Sequence, residues 1–288
     1  MTLNDLNSLS KEEAGSQLLN CCGALKWKEN ILSALPFLDE VVLIQHVHET
    51  WYNVCNEADW LEAFTHHPKI GDVKSMSEKF ASTKHLTGAE QEGVSHSDIG
   101  TINELAKANR EYEAKFGFIF IVCATGKSAS EMLRMLNDRL HNNFKEELLT
   151  AMGEQAKITV LRLQKLLNKS DWSKLSASQL TTHVLDTSIG RPGHDITIKL
   201  KRMNTGMWQT FAQGVTNTDG RIGDMLPAGK YMEKGNYKIV FDTGYYFTTQ
   251  NIKGFYPEVE IQFSVFDDTH YHVPLLVNPF GYSTYRGS

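Results

Sequence analysis

The sequence predicts two domains of different class, an all-helical bundle followed by an all-β sandwich. Apolar residues recur at helical spacing up to about residue 170, whereas beyond about residue 180 they alternate with polar residues. The length of 288 residues also suits two ordinary domains better than one. We therefore expect a helical domain over residues 1–168, a linker over 169–178 and a β-sandwich over 179–288.

The first half carries the helical pattern in several places. Two buried stripes are expected between residues 37 and 116, and a last helix over residues 156–167. Ser128 begins a further helix with a capping box, because its hydroxyl can accept from the amide of Glu131 while that carboxylate reaches back. The stripes consist of Phe37, Val41, Ile44, Trp51 and Cys55, and of Ile102, Leu105, Tyr112 and Phe116.

Strands with one buried face are expected at three places in the second half, over residues 196–201, 237–241 and 259–265. Short strands at this spacing are typical of a β-sandwich. The polar, serine-rich stretch between the halves has no clear period and is typical of a linker. Turns between strands are indicated by Thr218-Asp219-Gly220 and by Pro227-Ala228-Gly229.

Composition and charge argue against several functional classes. The formal net charge is −5 without a basic run, which argues against a nucleic-acid or membrane-surface partner. No apolar run approaches the roughly 20 residues of a membrane span, and the N-terminus lacks the pattern of a signal peptide. The four cysteines contain no CxxC pair, which favours buried free thiols over a zinc site or disulfides. We expect a cytoplasmic protein.

Three segments of the second half are distinctive: THVLDTSIGRP at 182–192, TDGRIGD at 218–224 and HYHVPLLVNPFGYSTYRGS at 270–288. Together they resemble the 5-hydroxyisourate hydrolase family, the enzymatic relatives of transthyretin. The resemblance covers the chain from about residue 178 to its end, and the transthyretin carriers lack the terminal YRGS. It implies a transthyretin-like sandwich that assembles as a tetramer, with active sites in a channel between subunits.

The resemblance also implies which residues act on the substrate. Hydrolysis of a strained cyclic amide needs a nucleophilic water and a proton for the leaving nitrogen, and two imidazoles can divide these roles. An arginine can orient the urate-like oxygens or favour a developing oxyanion. The catalytic positions matched are His183, Arg221, His272 and Ser288, and the matched substrate contacts are Tyr285, Arg286 and Gly287.

A metal site is the alternative interpretation of the histidine pair near the C-terminus. His270 and His272 lie two residues apart, so they share one strand face and could ligate a metal. No third ligand at a sensible spacing is evident, and the resemblance implies no metal and no cofactor. We interpret His270 and His194 as surface or structural residues.

Five segments distinguish the first half: NCCGALKW at 20–27, ADWLEAFTHHPKIGD at 58–72, LTGAEQEGV at 86–94, FGFIFIVCATGKS at 116–128 and KITVLRLQKLL at 157–167. In this order they resemble the 2-oxo-4-hydroxy-4-carboxy-5-ureidoimidazoline (OHCU) decarboxylases, a helical family. The resemblance covers nearly all of residues 5–168. It implies His67 as the catalytic histidine, Glu90 as its acidic partner and Arg162 as a substrate-binding residue.

Decarboxylation without a cofactor needs a place for the carbanion electrons, which the adjacent ring C=N of this substrate provides. The protein then has only to position the substrate, desolvate it and deliver a proton. Arg162 interrupts an apolar run, so we expect an anionic partner for it, either the substrate or Glu90. The other substrate contacts implied by the resemblance are Pro68, Thr87, Gln91 and the backbone of Ile119, Phe120, Ile121 and Val122.

The two resemblances name consecutive reactions, because the product of the hydrolase is the substrate of the decarboxylase. They imply a bifunctional enzyme of urate breakdown that converts 5-hydroxyisourate to OHCU, and OHCU to (S)-allantoin and CO2. Two alternatives remain, a transthyretin-like carrier of small molecules and a hydrolase with a helical interaction domain. We expect a homo-oligomer, a tetramer through the second domain with dimer contacts through the first.

Overall fold

A computed structural model describes residues 1–67, 96–125, 127–168, 170, 172, 175, 178–227 and 229–287, with side chains described from residue 100 onwards in the second range. The chain divides into two compact units. One comprises Met1–Asp5, Pro36–His48 and Leu167–Ser288, and the other comprises Leu6–Leu35 and Glu49–Leu166. No helix in the described ranges is long and apolar enough to cross a membrane.

The first half of the chain is helical, as predicted. A π-helical turn at Thr50–Val54 follows the fourth helix. The helices are α1 (Leu3–Ser8), α2 (Lys11–Cys22), α3 (Leu25–Ser33), α4 (Glu40–Glu49), α5 (Glu57–Thr65), α6 (His96–Phe116), α7 (Ala129–Arg139) and α8 (Phe144–Leu166).

Side-chain capping boxes mark where three of these helices begin, and one of them joins Ser10 and Glu13 at the start of α2. The predicted capping box at Ser128 and Glu131 is confirmed at the start of α7. Asn56 and Asp59 form an equivalent box at the start of α5, which leads towards His67. In each case the side-chain oxygens satisfy amide groups that the first helical turn leaves unpaired.

The first predicted apolar stripe is buried except at Val41, which is half-buried, and it does not lie on one helix. Val41 and Ile44 lie in α4 and Trp51 in the π-helical turn, whereas Phe37 and Cys55 lie outside both. Helix α4 ends at Glu49, and the π-helical turn then brings Trp51 into the interior, where it is 2% exposed. Its indole N–H donates to the carbonyl of Met152 at 3.0 Å. The second stripe lies within α6 and is buried as predicted, with Tyr112 fully enclosed.

A buried ion pair anchors the extended segment that follows α6. Arg139 and Glu147 are almost fully buried, and their side chains are 2.5 Å apart. The Arg139 guanidinium also donates to the carbonyl of Ile121 at 2.8 Å, and the Tyr112 hydroxyl bonds to the Glu147 carboxylate. Buried charges need such complete pairing to be tolerated. The network therefore fixes the backbone beside the pocket described below.

The second half forms two sheets packed face to face. One has the order β10-β9-β1-β2, with β5 and β8 also pairing with β1, and the other has the order β4-β3-β6-β7. Val184, Ile198, Phe241 and Leu275 are among the buried side chains between them. The strands are β1 (Leu180–Asp186), β2 (Arg191–Pro192), β3 (Thr197–Asn204), β4 (Met207–Val215), β5 (Arg221–Ile222), β6 (Gly235–Phe241), β7 (Val259–Val265), β8 (Tyr271–His272), β9 (Leu275–Asn278) and β10 (Gly281–Thr284).

The three predicted strands correspond to β3, β6 and β7, and the predicted sandwich is confirmed. The strand half also contains a helix that the pattern does not predict, α9 (Thr243–Thr249). Its residues are mostly aromatic or β-branched, types that favour strands. The Asp242 carboxylate caps it by accepting from the amide of Tyr245, and the Tyr246 hydroxyl donates to buried Asp186 at 3.0 Å. Capping and packing thus override the local preference.

Candidate active sites

In the sandwich, strand β1 brings the predicted catalytic residues together. His183 pairs with Arg221 of antiparallel β5, and Thr181 pairs with His272 of parallel β8. Thr181 and His183 lie two residues apart, so both point away from the core face that Leu180 and Val184 occupy. His183 of β1, Arg221 of β5 and His272 of β8 therefore lie together on one face of this sheet.

A tight turn delivers Arg221 to this surface. The Asn217 side-chain oxygen accepts from the amides of Asp219 at 3.0 Å and Arg221 at 2.9 Å, which closes an Asx-type turn. Gly220 has φ 69°, and a Cβ there would collide with the carbonyl of Val184. Glycine is required at this position by its conformation and by the close approach of β1.

The surroundings of both histidines favour their neutral forms. Burial lowers the pKa of His183 below its ordinary value of 6.5, and the positive charge of Arg221 lowers it further, against the effect of Asp219. Burial likewise lowers the pKa of His272, with Arg221, His270 and His183 acting in the same direction. Both imidazoles are therefore largely unprotonated near pH 7 and able to accept protons.

The chain end folds back over His272. The amide of Gly287 donates to the His272 carbonyl at 2.9 Å, and a Cβ on Gly287 would collide with the imidazole ring. The Arg286 guanidinium lies 5.3 Å from the centre of the Tyr271 ring, and Tyr285 is exposed. Gly287 is thus the residue type that this approach allows, while Ser288 lies outside the described residues.

The predicted histidine of the helical half lines a pocket of about 310 Å³. His67 follows α5 by two residues and lies half-buried at the pocket wall. Ile119, from the extended segment after α6, lines the same pocket. The remaining lining comes from Leu61, Phe64, Thr65, Glu113, Gly117 and Phe118.

Hydrogen bonds on both sides of His67 define its tautomer. A guanidinium can only donate, so the 3.5 Å contact from Arg162 requires a lone pair on His67 Nδ1. Nε2 then carries the proton and donates to the Gln155 side-chain oxygen at 2.6 Å. The Gln155 amide nitrogen bonds to the Cys22 carbonyl and to Thr159, which turns its oxygen towards His67. In this arrangement Nε2 carries a proton and Nδ1 is the acceptor that faces Arg162.

Arg162 contacts the C-terminal end of α2. It is half-buried, and its guanidinium donates to the carbonyls of Asn20 and Cys21, each at 3.3 Å. These carbonyls lie at the negative end of the helix dipole, which attracts a cation. The described contacts of Arg162 are helix carbonyls and His67. The expected anionic partner stays a prediction, because Glu90 lies outside the described residues. Gly23 ends α2 with φ 91°, and a Cβ there would lie 2.8 Å from that of His66.

The cysteines beside this site are not nucleophiles at neutral pH. Burial raises the pKa of Cys21 to about 11, with the Arg162 charge acting in the opposite direction. Burial raises the pKa of Cys22 to about 12. Both stay as thiols rather than thiolates. All four cysteines of the chain are buried and free, as the sequence predicted.

Some of the site residues predicted from the sequence lie within the described ranges, and others lie outside them. His67 and Ile119 line one pocket, and Arg162 contacts His67. Phe120, Ile121 and Val122 have buried side chains and do not line that pocket. Gln155 was not predicted, because no local pattern marks a glutamine that contacts a histidine 88 positions away. The positions that lie outside the described residues are Pro68, Thr87, Glu90, Gln91 and Ser288.

A metal site was the alternative interpretation of His270 and His272, and the structure shows a different arrangement there. Within the described ranges, no group of three or more His, Cys, Asp and Glu side chains could hold a metal ion. His270 and His272 instead meet at the hydroxyl of Thr181, at 3.0 and 2.9 Å. The pair is therefore joined by a hydrogen-bonding side chain.

Comparison with known proteins identifies the family. Residues 7–164 match the OHCU decarboxylase family, and residues 180–287 match the HIUase/Transthyretin family. The uric acid degradation bifunctional protein TTL of Arabidopsis thaliana is 32% identical, over 93% of this chain and 96% of that protein. This chain belongs to the OHCU decarboxylase family and carries a HIUase/transthyretin domain behind it. The predicted family membership and the two enzyme classes are confirmed.

Further relatives match one or both regions. The 5-hydroxyisourate hydrolase 2 of Rhizobium meliloti is 44% identical to the HIUase/transthyretin region, over 39% of this chain and 98% of that protein. A solved structure of (S)-allantoin synthase covers 100% of both chains at 26% identity, with a TM-score of 0.44.

Proposed function

We propose that this chain converts 5-hydroxyisourate to (S)-allantoin in two steps, with one active site in each family region. The observation that carries the proposal is the presence of both families on one chain, which matches the bifunctional Arabidopsis relative over nearly its whole length. The two families catalyse consecutive reactions, so the product of the sandwich is the substrate of the helical region. Since both intermediates also decay spontaneously, two sites on one chain can limit their loss.

In the sandwich, the proposed reaction is the opening of a cyclic amide by water. A neutral imidazole takes a proton from the attacking water, and a protonated one gives a proton to the leaving nitrogen. The lowered pKa values of His183 and His272 support the accepting role, because each ring can take up a proton near pH 7. The ring that has taken the proton from water is then the protonated one that gives a proton to the leaving nitrogen. Arg221 is proposed to hold the substrate oxygens and the developing oxyanion.

The chain end is proposed to close this hydrolase site. Its backbone contact with His272 through Gly287 supports that role. Tyr285 and Arg286 are proposed as substrate contacts, together with Gly287, and Ser288 as a further catalytic group. The resemblance to the hydrolase family is the support for these four roles.

In the helical region, the proposed reaction is loss of CO2 followed by protonation of the resulting carbanion. The hydrogen bonds that position the His67 imidazole, with Nδ1 as the acceptor, support its role as the residue that delivers the proton to the carbanion. Arg162 lies beside that nitrogen, where its charge can bind the substrate carboxylate. Delivery of the proton to one face gives a single allantoin enantiomer.

The remaining decarboxylase roles rest on the resemblance. Glu90 is proposed as the acidic partner of His67, and the backbone from Ile119 to Val122 as a holder of substrate carbonyl groups. Pro68, Thr87 and Gln91 are proposed as further contacts. No cofactor is proposed for either reaction, because the ring C=N accepts the electrons in one and water is the nucleophile in the other.

The electrostatic part of the hydrolase proposal can be measured directly. Arg221→Gln removes a positive charge that lowers the pKa values of both His183 and His272, so both should rise in the variant. An NMR titration of the two imidazoles measures this change. Arg191→Gln is the matched control, since Arg191 lies in the same sheet and does not contribute to either shift. Unchanged pKa values of both histidines in the Arg221 variant would contradict the effect of the Arg221 charge on them.

We also propose a cytoplasmic homo-oligomer, a tetramer through the sandwich with dimer contacts through the helical region. The HIUase/transthyretin membership supports the tetramer, and buried free thiols are compatible with a reducing compartment. Light scattering of the purified chain should give four chain masses at micromolar concentration. A single chain mass under the same conditions would count against the tetramer.

A further inference from the structure

Beyond the predicted catalytic residues, the hydrolase surface of β1 holds a hydroxyl between two imidazoles. Thr181 Oγ1 lies 2.9 Å from His272 Nδ1 and 3.0 Å from His270 Nε2. Thr181 and His272 are half-buried, whereas His270 is exposed. The strand pairing of Thr181 with His272 fixes the backbone on both sides of this contact.

A hydroxyl has one proton to donate, so the two contacts depend on each other. If Thr181 donates to His270, the Nδ1–H of His272 donates to Thr181 and Nε2 of His272 keeps its lone pair. If Thr181 donates to His272 instead, His272 carries its proton on Nε2 and cannot accept another there. In these two arrangements, the tautomer of His272 is linked to the hydrogen-bonding state of His270.

A second observation favours the first arrangement. Beside the 2.9 Å contact of Nδ1 with the Thr181 hydroxyl, the backbone carbonyl of Thr181 acts to raise the pKa of His272, against the larger effect of burial. A carbonyl can only accept, so the ring nitrogen that faces Thr181 is favoured to carry a proton. Because Nδ1 is the nitrogen beside Thr181, Nε2 is left as the acceptor.

We propose that Thr181 is a positioning residue for the hydrolase, which holds His272 in the tautomer with a free Nε2 and uses His270 as the second partner of its hydroxyl. The inference rests on the proposed function for the role of His272 in catalysis, but not for its tautomer. His270 is the exposed partner of the Thr181 hydroxyl. When His270 is protonated, its Nε2–H can only donate to Thr181, which opposes the arrangement in which Nε2 of His272 is free.

Other charged groups face His272 as well. Arg221 of β5 and His183 of β1 both lower its pKa, and Asp219 lies beside His183. They affect how readily the imidazole gains a proton. The contact of Nδ1 with Thr181 selects which nitrogen carries the proton in the neutral ring. A measurement of the His272 tautomer therefore distinguishes the role of Thr181 from the effects of these charged groups.

The test compares Thr181→Val, which removes the hydroxyl at nearly constant shape, with Thr181→Ser, which keeps it. We expect Thr181→Val to lower kcat for 5-hydroxyisourate hydrolysis by about tenfold, with KM changed much less, which corresponds to loss of one hydrogen bond in the transition state. Thr181→Ser should restore most of kcat. Nitrogen-15 NMR of the His272 ring should show Nε2 unprotonated in the wild type and in Thr181→Ser, and a shift towards the other tautomer in Thr181→Val.

Thr182→Val is the matched control, because the Thr182 hydroxyl lies on the opposite face of β1 and donates to the carbonyl of Val273. It removes the same group from the same strand, and it should leave the His272 tautomer unchanged. An unaltered tautomer in Thr181→Val would overturn the proposal, whether or not kcat falls, and so would Thr181→Ser as slow as Thr181→Val. A wild-type chain without hydrolase activity would instead overturn the proposed function, while the tautomer measurement would still test the role of Thr181.

Discussion

Replacement of His67 by alanine is expected to abolish enzymatic decarboxylation while 5-hydroxyisourate is still consumed at the wild-type rate. The His67 imidazole lines the pocket of the helical region and is held between Gln155 and Arg162. Loss of a positioned general acid–base group lowers a rate by about 10²–10⁴-fold. The product should then form by spontaneous decay and be racemic. Absorbance follows the loss of each intermediate, and circular dichroism measures the optical activity of the allantoin.

The control for this variant is His66→Ala. His66 directly precedes His67 and is exposed, and alanine keeps the Cβ that packs against Gly23. It should therefore preserve the fold at the end of α5 and leave both reactions intact. Optically active allantoin at the wild-type rate from His67→Ala would contradict the assignment. It would favour a helical region that serves as an interaction domain for a lone hydrolase.

Replacement of His272 by alanine is expected to have the opposite outcome. Hydrolysis of 5-hydroxyisourate should slow by about 10²–10⁴-fold, because His272 is proposed to transfer a proton during amide opening. Decarboxylation of OHCU supplied from outside should proceed at the wild-type rate. The measurement is the initial rate of absorbance loss with each of the two substrates.

His194→Ala provides the comparison within the same region. His194 is exposed and pairs with its neighbour Asp195 at 2.9 Å. Its removal deletes an imidazole from the sandwich without touching the surface of His183, Arg221 and His272. Wild-type hydrolysis by His272→Ala would show that the active hydrolase site lies elsewhere and would favour a carrier role for this surface.

Elements with a local signal could be predicted from the sequence. The capping box at Ser128 and the alternation in β3, β6 and β7 each depend on residues a few positions apart, and each is confirmed. Helix α9 was missed because its aromatic and β-branched residues favour strands, and packing of Tyr246 against Asp186 decides otherwise. The π-helical turn after α4 was missed because the apolar stripe continues through it.

The sites were predictable in a different way. His67, His183 and His272 were named through resemblance to two families, since a histidine in a strand or after a helix has no distinctive spacing. The residues that orient them could not be found in this way. Gln155 lies 88 positions from His67, and Thr181 lies 91 positions from His272, so only the tertiary fold brings them into contact. Arg162 shows the same limit, because its partners are carbonyls exposed by the end of α2.

The central claim is that one chain carries both reactions. The most direct measurement supplies freshly generated 5-hydroxyisourate to the purified chain and follows ultraviolet absorbance and circular dichroism together. The account predicts accelerated loss of substrate, accompanied by a rising optical signal from a single allantoin enantiomer. Accelerated loss with no optical signal would contradict the decarboxylase assignment, and no acceleration at all would contradict the hydrolase assignment.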